Sequence, residues 1–252
     1  MTLISVVVPS WNDAAMLRRC LAALAVQTRQ ADEIIVVDNG STDDTSAVAA
    51  AAGARVVVEP RRGVWPATIA GFDASTGEII ARLDADSVPP PNWLERVEVL
   101  LATSGERSAV TGPGDFYGGN RMTRWVGEHI YIAGYFWFVG ALLGHPPLFG
   151  SNLAMRRALW ADLRPRLDPT RERVHDDLQL SFLLEPGTTV IYDPTLRVGI
   201  SARPFSSLRG LARRVGWAGL GIWDNRDVIR GSRRRFRPRR PTSARRARAG
   251  RD

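Results

Sequence analysis

The chain has 252 residues, 27.7 kDa and a formal charge of +8, with 44% hydrophobic residues. This size suits one larger domain or a domain with an appendage, and the apolar content excludes wholesale disorder. The single cysteine, Cys20, excludes an intrachain disulfide, and with only His129, His145 and His175 beside it no Cys/His zinc cluster can form. All 34 basic residues are arginine, which excludes a Walker A lysine and a Schiff-base lysine together. The charge is uneven. Residues 228–252 hold eleven arginines against Asp252, a charge of +10, which leaves −2 for the rest of the chain.

In chain order, residues 3–9 form a continuous β-branched run ended by proline, which predicts a buried strand. A helix follows, with Met16, Leu17, Cys20, Leu21 and Leu24 on one face and Asn12 or Asp13 as its cap. Residues 33–38 give a second strand, and Ser41-Thr42-Asp43 opens an alanine-rich helix ending at Gly53. Residues 55–59 give a third strand, 64–74 a helix with Pro66 near its start, 78–84 a fourth strand, 93–102 a helix and 108–112 a fifth strand. This alternation predicts a mostly parallel, doubly wound α/β sheet. Further on, 152–163, 176–184 and 206–223 are expected to be helical, and 190–192 and 197–200 to be short strands. The arginine tail has no apolar periodicity and is expected to be disordered.

The first strand–helix turn, "PSWNDAAM", has no glycine, so a dinucleotide-binding turn is not supported. G-x-S-x-G is absent, which removes the hydrolase elbow. The remaining signal is acidic. Asp38 ends the second strand, and Asp84 and Asp86 end the fourth. Open α/β sheets bind ligands beyond the carboxyl ends of their strands. Residues two apart on a strand share a side, so Asp84 and Asp86 are expected together, where they can hold a hard divalent cation and, through it, a diphosphate.

Five segments, in order, resemble the inverting glycosyltransferases of family 2. They are "ISVVVPSWN" (4–12), "EIIVVDNGSTDDT" (33–45), "GEIIARLDADS" (77–87), "GSNLAMRRALW" (150–160) and "HDDLQLSFLL" (175–184). The resemblance spans roughly residues 4 to 203. It implies the GT-A nucleotide-sugar fold, a mostly parallel Rossmann-like sheet flanked by helices. It implies that Pro9, Ser10, Trp11 and Asp38 hold the nucleobase and ribose, that Asp84 lies near ribose and metal, and that Asp86 ligates Mg²⁺ or Mn²⁺. Gly150, Ser151 and Asn152 would line the donor-sugar and acceptor side. Asp177 would be the base, with Asp176 where relatives carry glutamate. Relatives also carry "A-R-N-x-G" after the third strand; here Ala67-Thr68-Ile69-Ala70-Gly71 stands there, with Arg61 or Arg62 as the compensating donor contact. The Q-x-x-R-W signature of processive relatives is absent, which points to transfer of a single sugar.

The chemistry agrees with those residues. A carboxylate takes the proton of a weakly nucleophilic acceptor, while a cation and arginines stabilise the departing nucleoside diphosphate. The expected organisation is a donor half (1–115), an acceptor and catalytic half of the same domain (116–227) and the arginine tail (228–252). The uncharged stretch 130–144 would span about 22 Å as a helix, short of the ~30 Å hydrocarbon core, so it is a core helix or an interfacial one. With the arginine tail it would place the enzyme at the cytoplasmic face of an anionic membrane, suited to a glycan or lipid-linked acceptor. Nucleic acid is not expected as a partner, because aromatics do not interleave with the arginines. The rival readings are a nucleotidyltransferase and a catalytically degenerate subunit that keeps the fold.

Overall fold

The structure is a computed structural model that describes residues 2–170, 175–203, 216, 219–227 and 229. Seven strands form one sheet, and the alternation of apolar strands and amphipathic helices dictates its layers. Strands β1 (Ile4–Ser10), β2 (Glu33–Asp38), β3 (Arg55–Val58) and β4 (Ile79–Arg82) are linked by helices α1 (Ala14–Ala25), α2 (Thr45–Ala51) and α3 (Val64–Ala74). Helix α4 (Trp93–Ala102) leads to β5 (Ser108–Thr111). The sheet order is β3-β2-β1-β4-β7-β5-β8, where β7 is Leu153–Arg156 and β8 is Thr189–Tyr192. All neighbours pair in parallel except β7, which runs antiparallel to both β4 and β5. A second, two-stranded parallel sheet joins β6 (Gly114–Tyr117) to β9 (Val198–Ser201).

Strand alternation sends Val6, Val8 and Val36 to one face, against Leu17, Leu24, Trp93 and Val97 of α1 and α4. Val7, Ile35 and Val37 go to the other face, against Trp65, Ile69 and Phe72 of α3 and against α7 (Arg157–Leu163). Cys20 lies in the first of these cores, fully buried. Helix α3 lies close to the sheet at Gly71, where a Cβ would stand 2.3 Å from Val7 Cγ1 and 2.8 Å from Val37 Cγ2. Pro66 is tolerated because it sits in the first turn of α3.

Two local expectations need correction. Residues 152–163 do not form one helix. Leu153–Arg156 is a strand, and only Arg157–Leu163 is helical. Leu-Ala-Met-Arg favours a helix locally, but placement between β4 and β5 overrides that preference. The aromatic helix is longer than its uncharged core. Helix α5 (Arg121–Val126), a π-helical turn (Gly127–Ile132) and α6 (Ala133–Leu143) run on as a continuous 23-residue helix. Gly144 ends it in the left-handed region at φ 82°. Most of the expected helix 206–223 and all of the arginine run 230–251 lie outside the described residues. Within the former, residues 219–224 are helical.

Candidate active site

The turns after β1, β2 and β3 are tied to one another at the carboxyl edge of the sheet. Asn12, at φ 50°, accepts the Thr42 N–H at 2.7 Å. Asn39 accepts the Gly63 N–H at 2.7 Å and donates to the carbonyls of Glu59 and Arg61. The cap of α1 differs from expectation. Asp13 gives no side-chain cap; Asp43 of the next turn instead accepts the Ala14 N–H at 3.0 Å, and the Asp13 carboxylate takes a two-armed contact from Arg203.

A cleft of about 370 Å³ opens beside these turns. Its walls include Pro9, Ser10, Trp11, Arg82, Asp84, Asp86, Gly150, Ser151, Asp176, Asp177 and Arg203. A larger groove of about 700 Å³ between α1 and α2 is lined mainly by alanine and aliphatic side chains and lacks a comparable acid cluster. Helix α8 (Asp176–Leu183) brings Asp176 and Asp177 to the cleft in its first turn, where the helix dipole favours negative charge.

Asp84 and Asp86 do meet in the cleft, but a turn places them, since β4 ends at Arg82. The Ser87 N–H closes that turn on the Asp84 carbonyl at 2.9 Å. Asp84 accepts the Ser151 hydroxyl and pairs with Arg82 at 2.9 Å. Asp86 pairs with Arg203 at 3.1 Å. Burial, followed by the Asp84 charge, pushes the Asp86 carboxyl up to about 6, against the pull of Arg203. Asp177 accepts the Gly150 N–H at 2.8 Å. Burial and then the Asp176 charge raise its carboxyl above the ordinary range, although His175, the Gly150 N–H and Arg82 oppose them. Asp176 is bound differently: its Oδ2 accepts the Thr68 hydroxyl at 2.6 Å and pairs with Arg82 at 2.9 Å.

Of the other expected residues, Trp11 lines the cleft, and the Arg62 guanidinium lies 4.0 Å from its ring centroid. Arg62 also donates to the carbonyls of Asn39 and Gly40. Arg61 is paired with Glu59. Asp38 is buried behind the cleft and accepts from the Ser41 N–H at 2.8 Å and the Ser46 hydroxyl. Gly150 and Ser151 face the cleft, but Asn152 does not. It is fully buried and holds Trp93 Nε1 at 2.9 Å and the Leu196 carbonyl at 2.6 Å. Its side chain joins three elements, which corrects the expectation that it lines the acceptor side.

Four residues that shape the site were missed: Asp13, Thr68, Arg82 and Arg203. Arg82 carried a legible signal, an arginine inside an otherwise apolar strand. Thr68 occupies the segment where "A-R-N" is lacking, and its bond to Asp176 ties that segment to the first turn of α8. Arg203 lies 117 residues beyond Asp86, and only the fold joins them.

Among the described residues, no three His, Cys, Asp or Glu side chains converge as a metal cage. Asp84 and Asp86 nevertheless fit a hard cation that takes its remaining ligands from phosphate oxygens and water, the usual manner of Mg²⁺.

Comparisons with known proteins agree with this geometry. The family model described as "Glycosyl transferase family 2" matches residues 5–160. An uncharacterised glycosyltransferase of Mycobacterium bovis is 48% identical over 114 residues, 43% of this chain and 50% of that protein. An undecaprenyl-phosphate 4-deoxy-4-formamido-L-arabinose transferase of Sodalis glossinidius is 35% identical over 110 residues, 39% of this chain and 33% of that protein. The matched segments thus span between a third and a half of these relatives' own lengths. Glucosyl-3-phosphoglycerate synthase of Mycobacterium tuberculosis, solved with Mn²⁺ and UDP-glucose, superposes at a TM-score of 0.55 with 24% identity, over 79% of this chain and 70% of that one. That likeness shows the GT-A fold.

Proposed function

The chain belongs to glycosyl transferase family 2, and on that premise we propose that its cleft transfers one sugar, with inversion, from a nucleotide-diphospho-sugar to an acceptor hydroxyl or lipid phosphate. UDP-sugar is the default donor. The observation that carries this reading is the convergence, in one cleft, of the Asp84/Asp86 turn with Asp177, with Gly150 and Ser151 between them. Residues 1–115 hold the donor, and 116–227 supply the base and the acceptor surface.

Asp84 and Asp86 would hold Mg²⁺ or Mn²⁺, whose chemistry there is to neutralise the diphosphate as it departs. Trp11, backed by Arg62, offers a flat face to the nucleobase. Asp38 supports the ribose side by holding the β2 turn. Asp177 takes the acceptor proton, helped by an acidity weak enough to favour proton uptake. Asp176 steadies the base helix through Thr68 and Arg82 rather than accepting a proton itself. Replacing Asp177 with asparagine tests the reading. Transfer should fall by about 10²–10⁴, the range for a general base, while nucleotide binding survives. Unchanged transfer would remove Asp177 as the base.

The same proposal places the enzyme at the cytoplasmic face of a membrane, in cell-envelope or exopolysaccharide synthesis. Likeness to an undecaprenyl-phosphate transferase supports a lipid-linked acceptor. The 23-residue helix 121–143 is long and apolar enough to cross a bilayer, with mean hydropathy 1.3 over its most apolar 18 residues, but Ile132, Val139 and Leu143 are buried in the domain. The opposite stripe, Met122, Trp125, Ile130, Trp137 and Phe138, is at least half exposed. A Trp-rich stripe of this kind suits the headgroup boundary, and eleven tail arginines add attraction to anionic lipid. Flotation with vesicles of anionic lipid should carry the protein upward, and Trp137→Ser with Phe138→Ser should reduce that by about tenfold. Equal flotation of the double variant would remove the stripe from the proposal.

A further inference from the structure

Arg82 is the most deeply buried charge at the site, with 1% of its surface exposed. An isolated buried guanidinium is strongly disfavoured, so its position must be set by what pairs with it. Two carboxylates do so, and they belong to different parts of the machinery. Nη1 lies 2.9 Å from Oδ1 of Asp84, in the turn after β4. Nη2 lies 2.9 Å from Oδ2 of Asp176, in the first turn of α8. The far partners are also tied down: Asp84 takes the Ser151 hydroxyl, and Asp176 takes the Thr68 hydroxyl.

Gly150 shows how tightly this fork is enclosed. A Cβ there would stand 2.4 Å from Arg82 Nη1 and 3.2 Å from Asp177 Oδ2. The backbone that donates to Asp177 therefore lies directly over the guanidinium, and a side chain at residue 150 would displace Arg82 from its two carboxylates. Arg82 is the floor beneath both the cation carboxylates and the base.

We propose that Arg82 is the positioning residue of this site, and that its one guanidinium couples the donor side to the base side by dividing its charge between Asp84 and Asp176. While Asp176 holds part of that charge, Asp84 keeps enough negative potential to hold a cation with a diphosphate. With asparagine in place of Asp176, Arg82 turns its charge onto Asp84, and the cation site weakens. The coupling is reciprocal, so a cation and diphosphate at Asp84 return Arg82 to Asp176 and steady the first turn of α8, where Asp177 stands.

This inference rests on the donor reading above, and the test separates the two. Calorimetry measures binding of UDP, GDP, dTDP and CDP, each with Mg²⁺, to the full chain. For the nucleotide that binds, Asp176→Asn should weaken affinity by at least about fivefold in the wild-type background. In an Arg82→Met background the same substitution should change it by less than about twofold. Arg82→Lys keeps the charge but reaches one carboxylate only, so it should also uncouple the two while retaining more stability. Thermal unfolding confirms that each variant is folded. A merely structural Arg82 would lower stability and leave the effect of Asp176→Asn the same in every background; that result, or no effect of Asp176→Asn in wild type, overturns the coupling alone. Failure of the wild-type protein to bind any of the four nucleotides overturns the donor reading, and the coupling with it.

Discussion

The turn after β2 and the cleft formed by the β4 turn and α8 both present aspartates at one edge of one sheet, yet their carboxylates are in opposite states. Burial pushes the Asp38 carboxyl up, but the Ser46 and Ser41 hydroxyls and the Ser41 N–H outweigh it, so the group ends below the ordinary range. Asp86 and Asp177 are half-buried beside other carboxylates, and both end above it. A carboxylate already supplied with donors is part of the scaffold. One held among like charges waits for a proton or a cation.

The largest expected effect that sharpens this contrast is on turnover. Asp177→Asn should cost about 10²–10⁴ in transfer rate, measured as nucleoside diphosphate release, whereas Asp38→Asn should act mainly through stability. Comparable losses of rate at equal folded fraction would break the comparison. Next is Asp86→Ala, which should abolish the Mg²⁺ dependence of nucleotide binding in calorimetry. Retention of that dependence would move the cation away from the β4 turn.

Stability against pH should then run in opposite senses. The Asp38 carboxyl is depressed, so its contribution is complete above the ordinary carboxyl range near ~3.9 and is lost as pH falls through the depressed value. Asp38→Asn should therefore cost about 1–3 kcal/mol at pH 7, with the cost shrinking in acid. The Asp177 carboxyl is raised, so folding penalises its ionised form above the raised value. Asp177→Asn should raise the melting temperature at pH 7–8, and that gain should vanish as pH falls toward ~3.9. Melting curves of both variants from pH 3 to pH 8 would show the crossing; parallel curves would contradict it. The smallest effect is expected of Ser46→Ala, which removes one hydroxyl from Asp38 and should cost about 1.5 kcal/mol in denaturant unfolding.

The sequence made the parallel half of the molecule legible because burial there is simple. Residues 33–38 and 64–74 appear as a strand and a helix with the expected bounds, since apolar runs and their period leave little choice. Strand β7 was hidden because Leu153–Arg156 carries no β-branched residue, and only its neighbours make it a strand. At the site, acids clustered in motifs were readable. The contacts that arrange them were not, because Thr68, Arg82 and Asp176 meet only when α3, β4 and α8 are folded together. Asn152 misled for the same reason. Adjacent to Ser151 in sequence and just before β7, it is turned into the core and bonded to Trp93 and Leu196.

The central claim is that the β4 turn holds a cation and a nucleoside diphosphate within reach of Asp177. The most direct measurement is a thermal-shift panel of UDP, GDP, dTDP and CDP, each with and without Mn²⁺, on the wild-type protein and on Asp86→Ala. Stabilisation by bound ligand grows as RT ln(1 + [L]/Kd). The account predicts a metal-dependent rise in melting temperature with one nucleotide, UDP by default, and its loss in Asp86→Ala. No rise with any nucleotide in folded wild-type protein, or an equal rise in Asp86→Ala, would contradict it.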